Sequence, residues 1–297
     1  MRKFWKSFFC LTLAGTMVIP FVACKGGADY SEAFALKYDM GMDDYQNYDS
    51  DKFMTNVLNT IGADPGVIYV SEEDDEVYGG YFYAYITGQT SGGFTPGTGI
   101  YPSDTKTLAY QCFRTRDLST WELCGAVGGY AIAGQSSDWE EWTNCWAPEV
   151  IYNASDAEYP YYMYYTTTAK VRTEGRLACN PDASESDRIH IGIARSETPV
   201  GPFIPYSDTE VVNGVTQKIP FIDFKYGFGL DYEVGVIDVS PFLDDDGELY
   251  LYFKTESFET GSLIAAVFGM KMNDWTHPIM SPSNCWQPAV IPPFPAN

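Results

Sequence analysis

Three carboxylates stand at comparable places along the 297-residue chain. Asp64 lies in Ala63-Asp64-Pro65, Glu149 in Trp146-Ala147-Pro148-Glu149-Val150, and Asp238 in Ile237-Asp238-Val239-Ser240-Pro241. Each has a proline close by and opens the same pattern: a strand, a polar turn, and a second strand rich in aromatics. After Asp64 the turn is Glu72 to Glu76, and the second strand is Tyr81-Phe82-Tyr83-Ala84-Tyr85-Ile86. After Glu149 the strand is Tyr161-Tyr162-Met163-Tyr164-Tyr165; after Asp238 the Asp244-Asp245-Asp246-Gly247 turn leads into Leu249-Tyr250-Leu251-Tyr252-Phe253. Asp238 follows an apolar run (Val234, Val236, Ile237) and is expected to head inward. A buried charge costs free energy unless it is paired or used, which makes this aspartate a candidate for chemistry.

A strand–turn–aromatic-strand unit repeated at long intervals points to the blades of a β-propeller. Such a fold gathers the first strand of every blade around one axis, so the acids are expected to converge there. Asp245, Asp246 and Gly247 supply turn chemistry, since Asp tolerates a left-handed backbone and Gly adopts it without steric cost. A calcium-loop reading of this turn fails because its twelfth position would be Phe253 rather than a bidentate glutamate. The fold class expected is all-β, with about three blades and the start of a fourth at Trp286-Gln287-Pro288.

Composition narrows the chemistry. A net charge of −22 excludes a nucleic-acid partner, which requires a basic surface, and is compatible with a neutral ligand. Aromatic residues make up 16% of the chain and include 23 tyrosines, which suits many short strands. No Gly-x-Ser-x-Gly elbow or phosphate-binding glycine loop occurs. With only His190 and His277, a histidine-rich metal site is excluded, and no zinc spacing is present. His190 reads as a core histidine within a strand.

Arg2, Lys3 and Lys6, the apolar run Phe8 to Val22, and Ala23-Cys24 form a targeting segment over 1–23. It resembles a bacterial lipoprotein signal, which would lipidate Cys24 and leave the protein exported and anchored at the cell surface or in the periplasm. Membrane contact is then expected through that anchor only, with a tether over 24–50 and the folded domain over 51–297. Cys112 and Cys124 flank a hairpin-like segment and could pair across it. The Asp117-Leu118 turn with Trp121, echoed by Asn273-Asp274-Trp275, looks like the outer hairpin of a blade, its tryptophan plugging the gap to a neighbour. Trp139 and Trp142 are expected to pack or line the rim. For Trp146, packing and sugar stacking remain equal alternatives. Residues 204–236 read as a long insertion between repeats.

Taken together, Ala63-Asp64-Pro65, Trp146-Ala147-Pro148-Glu149-Val150 and Ile237-Asp238 followed by Phe242-Leu243-Asp244-Asp245-Asp246-Gly247 resemble the motif series of glycoside hydrolase family 43. The likeness covers roughly residues 58–295, in order. It implies a five-bladed propeller that hydrolyses arabinose- or xylose-containing plant glycans with inversion, so the partner expected is a carbohydrate substrate. By resemblance Asp64 is the general base and Asp238 the aspartate that raises the pKa of the acid and orients it. Inversion places acid and base about 6.5–9.5 Å apart, leaving room for a water. The resemblance also puts Trp146 beside the sugar, with Glu149 supporting that subsite. No cofactor is implied, though relatives allow a structural calcium. The family's acid, a glutamate usually followed by Gly-Pro, has no counterpart after Glu259, and a C-terminally truncated propeller is expected on that ground. The alternative is a surface glycan-binding propeller without catalysis, or an inactive truncated fragment.

Overall fold

The structure is a computed structural model and describes residues 63–90, 107–118, 120–135, 138–177, 185–229, 234–257, 264–279, 281 and 283–286. The targeting segment, the tether and Cys24 lie outside the described residues, as does the stretch after Trp286.

Three antiparallel sheets follow one another along the chain. The first consists of β1 (Gly66–Val70), β2 (Tyr81–Thr90), β3 (Thr107–Thr115) and β4 (Glu122–Leu123), with β5 (Tyr130–Gly134) also paired to β3. The second is β6 (Trp146–Tyr152), β7 (Tyr161–Thr168), β8 (Ile189–Ser196) and β9 (Ile204–Tyr206). A hairpin of β10 (Thr209–Val212) and β11 (Val215–Lys218) and a short helix α1 (Phe224–Phe228) precede the third sheet. That sheet is β12 (Gly235–Leu243), β13 (Leu249–Ser257), β14 (Ile264–Asp274) and β15 (His277–Pro278), with β16 (Cys285–Trp286) also on β14. Four strands in sequential order, each hydrogen-bonded to the next, make a propeller blade. The three blades expected from the repeats are present. Cys285–Trp286, expected to open a fourth blade, pairs with Gly269 and Met270 of β14. In this it matches β5, which pairs with β3 and leads from the first blade towards the second.

The tyrosine-rich strand β7 shows why the blades stack. All eight of its residues are buried, and alternate side chains point to opposite faces. Tyr161, Met163 and Tyr165 join a core with Tyr83, Tyr85 and Tyr110 of the first blade. Tyr162 and Tyr164 join another with Val236, Leu251 and Phe253 of the third. Burying one such large apolar side chain stabilises the fold by about 1.5–3 kcal/mol. The phenol oxygens remain satisfied: Tyr110 donates to Thr166 O at 2.8 Å, and Tyr164 to Trp275 O at 2.9 Å.

Trp275 lies against Tyr162 of the second blade with ring centroids 5.2 Å apart, so it fills the inter-blade gap as expected of these outer-turn tryptophans. The acidic turn after β12 closes on itself: Gly247 N–H donates to Asp244 O at 2.9 Å, and Glu248 N–H to the Asp246 carboxylate at 3.0 Å. Two expectations need adjustment. The insertion expected over 204–236 begins later, because Ile204–Tyr206 completes the second blade as β9. The sulfurs of Cys112, in β3, and Cys124, one residue past β4, lie 3.6 Å apart, but as free thiols.

Candidate active site

The backbone does something unusual at the start of each blade. Asp64 has φ +48°, Ala147 +43° and Asp238 +56°, all left-handed and none of them glycine. A non-glycine residue in this region costs about 1–2 kcal/mol and persists only where its surroundings hold it. Two of the three sit in breaks of the ladder: β6–β7 shifts register between Trp146 and Glu149, and β12–β13 between Ile237 and Ser240. Asp64 stands two residues before Gly66, the first residue of β1 to pair with β2. A bulge bends its strand and re-aims side chains, here at Ala147 and at Asp238, while Asp64 has the same left-handed backbone just ahead of its strand.

Asp238 shows the consequence. Ile237 and Val239 on either side are buried, yet Asp238 itself is exposed. The inward course expected from its apolar neighbours is therefore corrected: the bulge and the left-handed φ turn the carboxylate out of the core. Asp64 is likewise exposed.

These turned residues meet in a cleft of about 280 Å³ lined by Asp64, Pro65, Ala147, Glu149, Asp238, Val239 and Ser240. Three consecutive blades each contribute a carboxyl group. Glu149 is partly buried, and desolvation raises its pKa above the usual carboxylate range. Trp146 is not among the residues lining the cleft; it is partly buried and pairs with Thr166 one residue before the Ala147 bulge. Sequence reasoning missed Ser240, although strand alternation from Asp238 could have found it. It also missed Thr87, whose hydroxyl donates to Asp64 Oδ2 at 3.1 Å and which no motif marks.

Gly66 of β1 lies directly against the opening strand of the second blade. A Cβ built there would stand 2.1 Å from Pro148 O and 3.1 Å from Glu149 Oε2, so only a hydrogen fits. The segment leading into β6 is pinned by a buried polar network. Trp142 stacks on Tyr165 with centroids 5.8 Å apart, and Trp139 meets the His190 ring edge-on, so both tryptophans pack. Asp138 receives Lys218 Nζ at 2.9 Å, and Glu140 accepts from Tyr165 OH at 2.7 Å.

Glu140 is buried, and burial followed by the nearby Asp138 charge raises its pKa to about 7. The folded protein thus holds this proton more tightly than the unfolded chain, whose glutamates titrate near about 4.3. The associated stability is fully present below about pH 4.3 and is lost as pH rises through about 7. A shift of this size corresponds to roughly 3 kcal/mol. Urea unfolding at pH 5 and pH 8 is expected to show this loss in the wild-type chain and a much smaller one in Glu140→Gln. An equal loss in both would contradict the assignment.

Among the described residues no group of three or more His, Cys, Asp or Glu could hold a metal ion. No step below runs through a metal ion.

The sequence model of glycosyl hydrolases family 43 matches residues 57–287. No curated protein matches the chain. Similar solved structures include a thermostable family-43 glycoside hydrolase, at 20% identity and TM-score 0.46, covering 80% of this chain and 57% of that one. An endo-1,4-beta-xylanase from Bacteroides thetaiotaomicron is 26% identical with TM-score 0.40, covering 76% of this chain and 52% of that one. An endo-arabinase from the same organism is 19% identical with TM-score 0.42, covering 74% and 54% respectively. The chain thus spans little more than half the length of these structures.

Proposed function

The chain belongs to glycosyl hydrolases family 43, and from that premise we propose that its three-blade cleft is the hydrolytic centre of an inverting glycosidase. The substrates proposed are arabinose- or xylose-containing plant polysaccharides or their oligosaccharides. The observation that carries the reading is the convergence of Asp64, Glu149 and Asp238 from three blades on one cleft. In this reading Asp64 acts as general base: its ionised carboxylate takes a proton from the water that attacks the anomeric carbon. Asp238, across the cleft on the third blade, takes in this reading the place of the charge that would raise the pKa of the leaving group's proton donor and orient it. That donor, a glutamate in the family pattern, is not supplied by the sequence after Glu259. Glu149 and Ser240, which line the cleft, are in this reading the groups that hydrogen-bond sugar hydroxyls. A neutral glycan suits a cleft that gathers carboxyl groups on a chain of net charge −22, since an anionic ligand would be repelled.

The test is an assay of the purified chain on nitrophenyl arabinofuranoside, nitrophenyl xyloside and arabinan. Release from at least one substrate supports the reading. No release, together with measurable glycan binding by calorimetry, would replace it with a binding propeller.

We further propose that the mature protein is exported and carries lipid on Cys24, on the strength of the charged start, apolar run and Ala23-Cys24 junction. Labelled fatty acid supplied to expressing bacteria is expected to enter the wild-type protein and not Cys24→Ala. Equal labelling of both would refute lipidation at this residue.

A further inference from the structure

We propose that Thr87 is a positioning residue for Asp64, its hydroxyl held by an amide of the second blade and aimed at the carboxylate of the first. This rests on the reading of Asp64 as general base.

The geometry has three parts. The β2–β3 ladder shifts register between Ile86 and Gln89, which takes Thr87 out of regular pairing at the end of the blade. Its backbone is then fixed from two sides. Thr87 N–H donates to Ala63 O at 3.0 Å, and the next residue, Gly88, donates to Cys145 O at 2.9 Å. Finally, the side-chain oxygen accepts from Ala147 N–H at 2.9 Å and donates to Asp64 Oδ2 at 3.1 Å.

Proton bookkeeping gives this relay a direction. An amide N–H can only donate, and an ionised carboxylate can only accept. The hydroxyl between them must accept from Ala147 and give its single proton to Asp64. Rotation of that hydroxyl away from Asp64 would forfeit a charge-assisted bond. Ala147 and Asp64 are also two of the three left-handed positions that open the blades. Thr87 therefore ties one strained residue to the other, and fixes the carboxylate's rotamer to the backbone of the neighbouring blade. A general base gains rate from being held in its reactive orientation before the water arrives.

The contrasting account is that Thr87 only fastens the seam between blades. Two variants separate them. Thr87→Val keeps the branched shape and deletes the hydroxyl; Thr87→Ser keeps the hydroxyl and deletes the methyl. The expected result is a fall in kcat of about tenfold in Thr87→Val with KM little changed, and recovery to within about twofold in Thr87→Ser. An unchanged kcat in Thr87→Val, or a loss in Thr87→Ser as deep as in Thr87→Val, would overturn the proposal.

A second readout needs no turnover. In aspartate-labelled protein the carboxyl carbon resonance of Asp64 is the one missing from Asp64→Asn. It is expected to move in Thr87→Val and return in Thr87→Ser; a resonance unmoved by Thr87→Val overturns the contact itself. The two failures are distinguishable. If Asp64→Asn retains full hydrolysis, the general-base reading fails. If Asp64→Asn is inactive while Thr87→Val behaves as wild type, the positioning role alone fails.

Discussion

Asp64→Asn is expected to lower kcat/KM on the best glycoside substrate by about 10²–10⁴-fold, the usual contribution of a positioned general base. The amide has the shape of the carboxylate and can still accept the Thr87 hydroxyl proton through its oxygen, so the left-handed backbone at this position keeps its support. What it cannot do is take a proton from water. Because Asp64 is exposed and lies outside the inter-blade cores, the melting temperature is expected to stay within about 2 °C of wild type. Activity within about threefold of wild type would remove Asp64 from the chemistry. A collapse of the melting temperature would instead assign it to folding.

Gly66→Ala is expected to be the most damaging single substitution for the architecture of the cleft. The added carbon would lie 2.1 Å from Pro148 O, a backbone atom of the second blade that no side-chain rotation can move aside. Relief requires the two opening strands to part, beside the cleft-lining Pro65 and Glu149 and close to the left-handed Asp64 and Ala147. Overpacking of this kind typically costs about 1–3 kcal/mol, and a backbone clash puts this case at the upper end. Gly247→Ala is the informative contrast. Its φ is +85°, but nothing lies within 4 Å of the added carbon. The loss there is expected to be only the left-handed penalty of about 1–2 kcal/mol, with activity unchanged. Denaturant unfolding of both variants decides the matter: a Gly66→Ala chain as stable as wild type would contradict the close approach of the blades.

The blades were legible in the sequence because their signals are local. Tyr161-Tyr162-Met163-Tyr164-Tyr165 can bury both faces of a strand, and Asp244 to Gly247 carries its turn within itself. The convergence of Asp64, Glu149 and Asp238 was legible as well, through the repeat that assigns them equivalent positions. What the sequence hid depends on pairing irregularities and contacts that no local stretch displays. The outward turn of Asp238 follows from a ladder shift, and nothing in Val236-Ile237-Asp238-Val239 announces a bulge. Thr87 reads as an ordinary strand threonine, because its partners Asp64 and Ala147 lie 23 and 60 residues away. Glu140 looks like any acid in a loop, and its raised proton affinity arises only once the fold buries it, with the Asp138 charge nearby adding to the effect. β9 escaped notice because three residues carry too little periodicity to mark a strand.

The central claim is that this cleft hydrolyses a glycosidic bond by single displacement, with Asp64 activating the water. Proton NMR of the reaction in its first minutes tests it most directly, before the released sugar mutarotates. The account predicts that the first anomer to appear has the configuration opposite to that of the substrate, and that Asp64→Asn produces no such signal on the same timescale. A first product that retains the substrate's configuration, or undiminished release by Asp64→Asn, would contradict it.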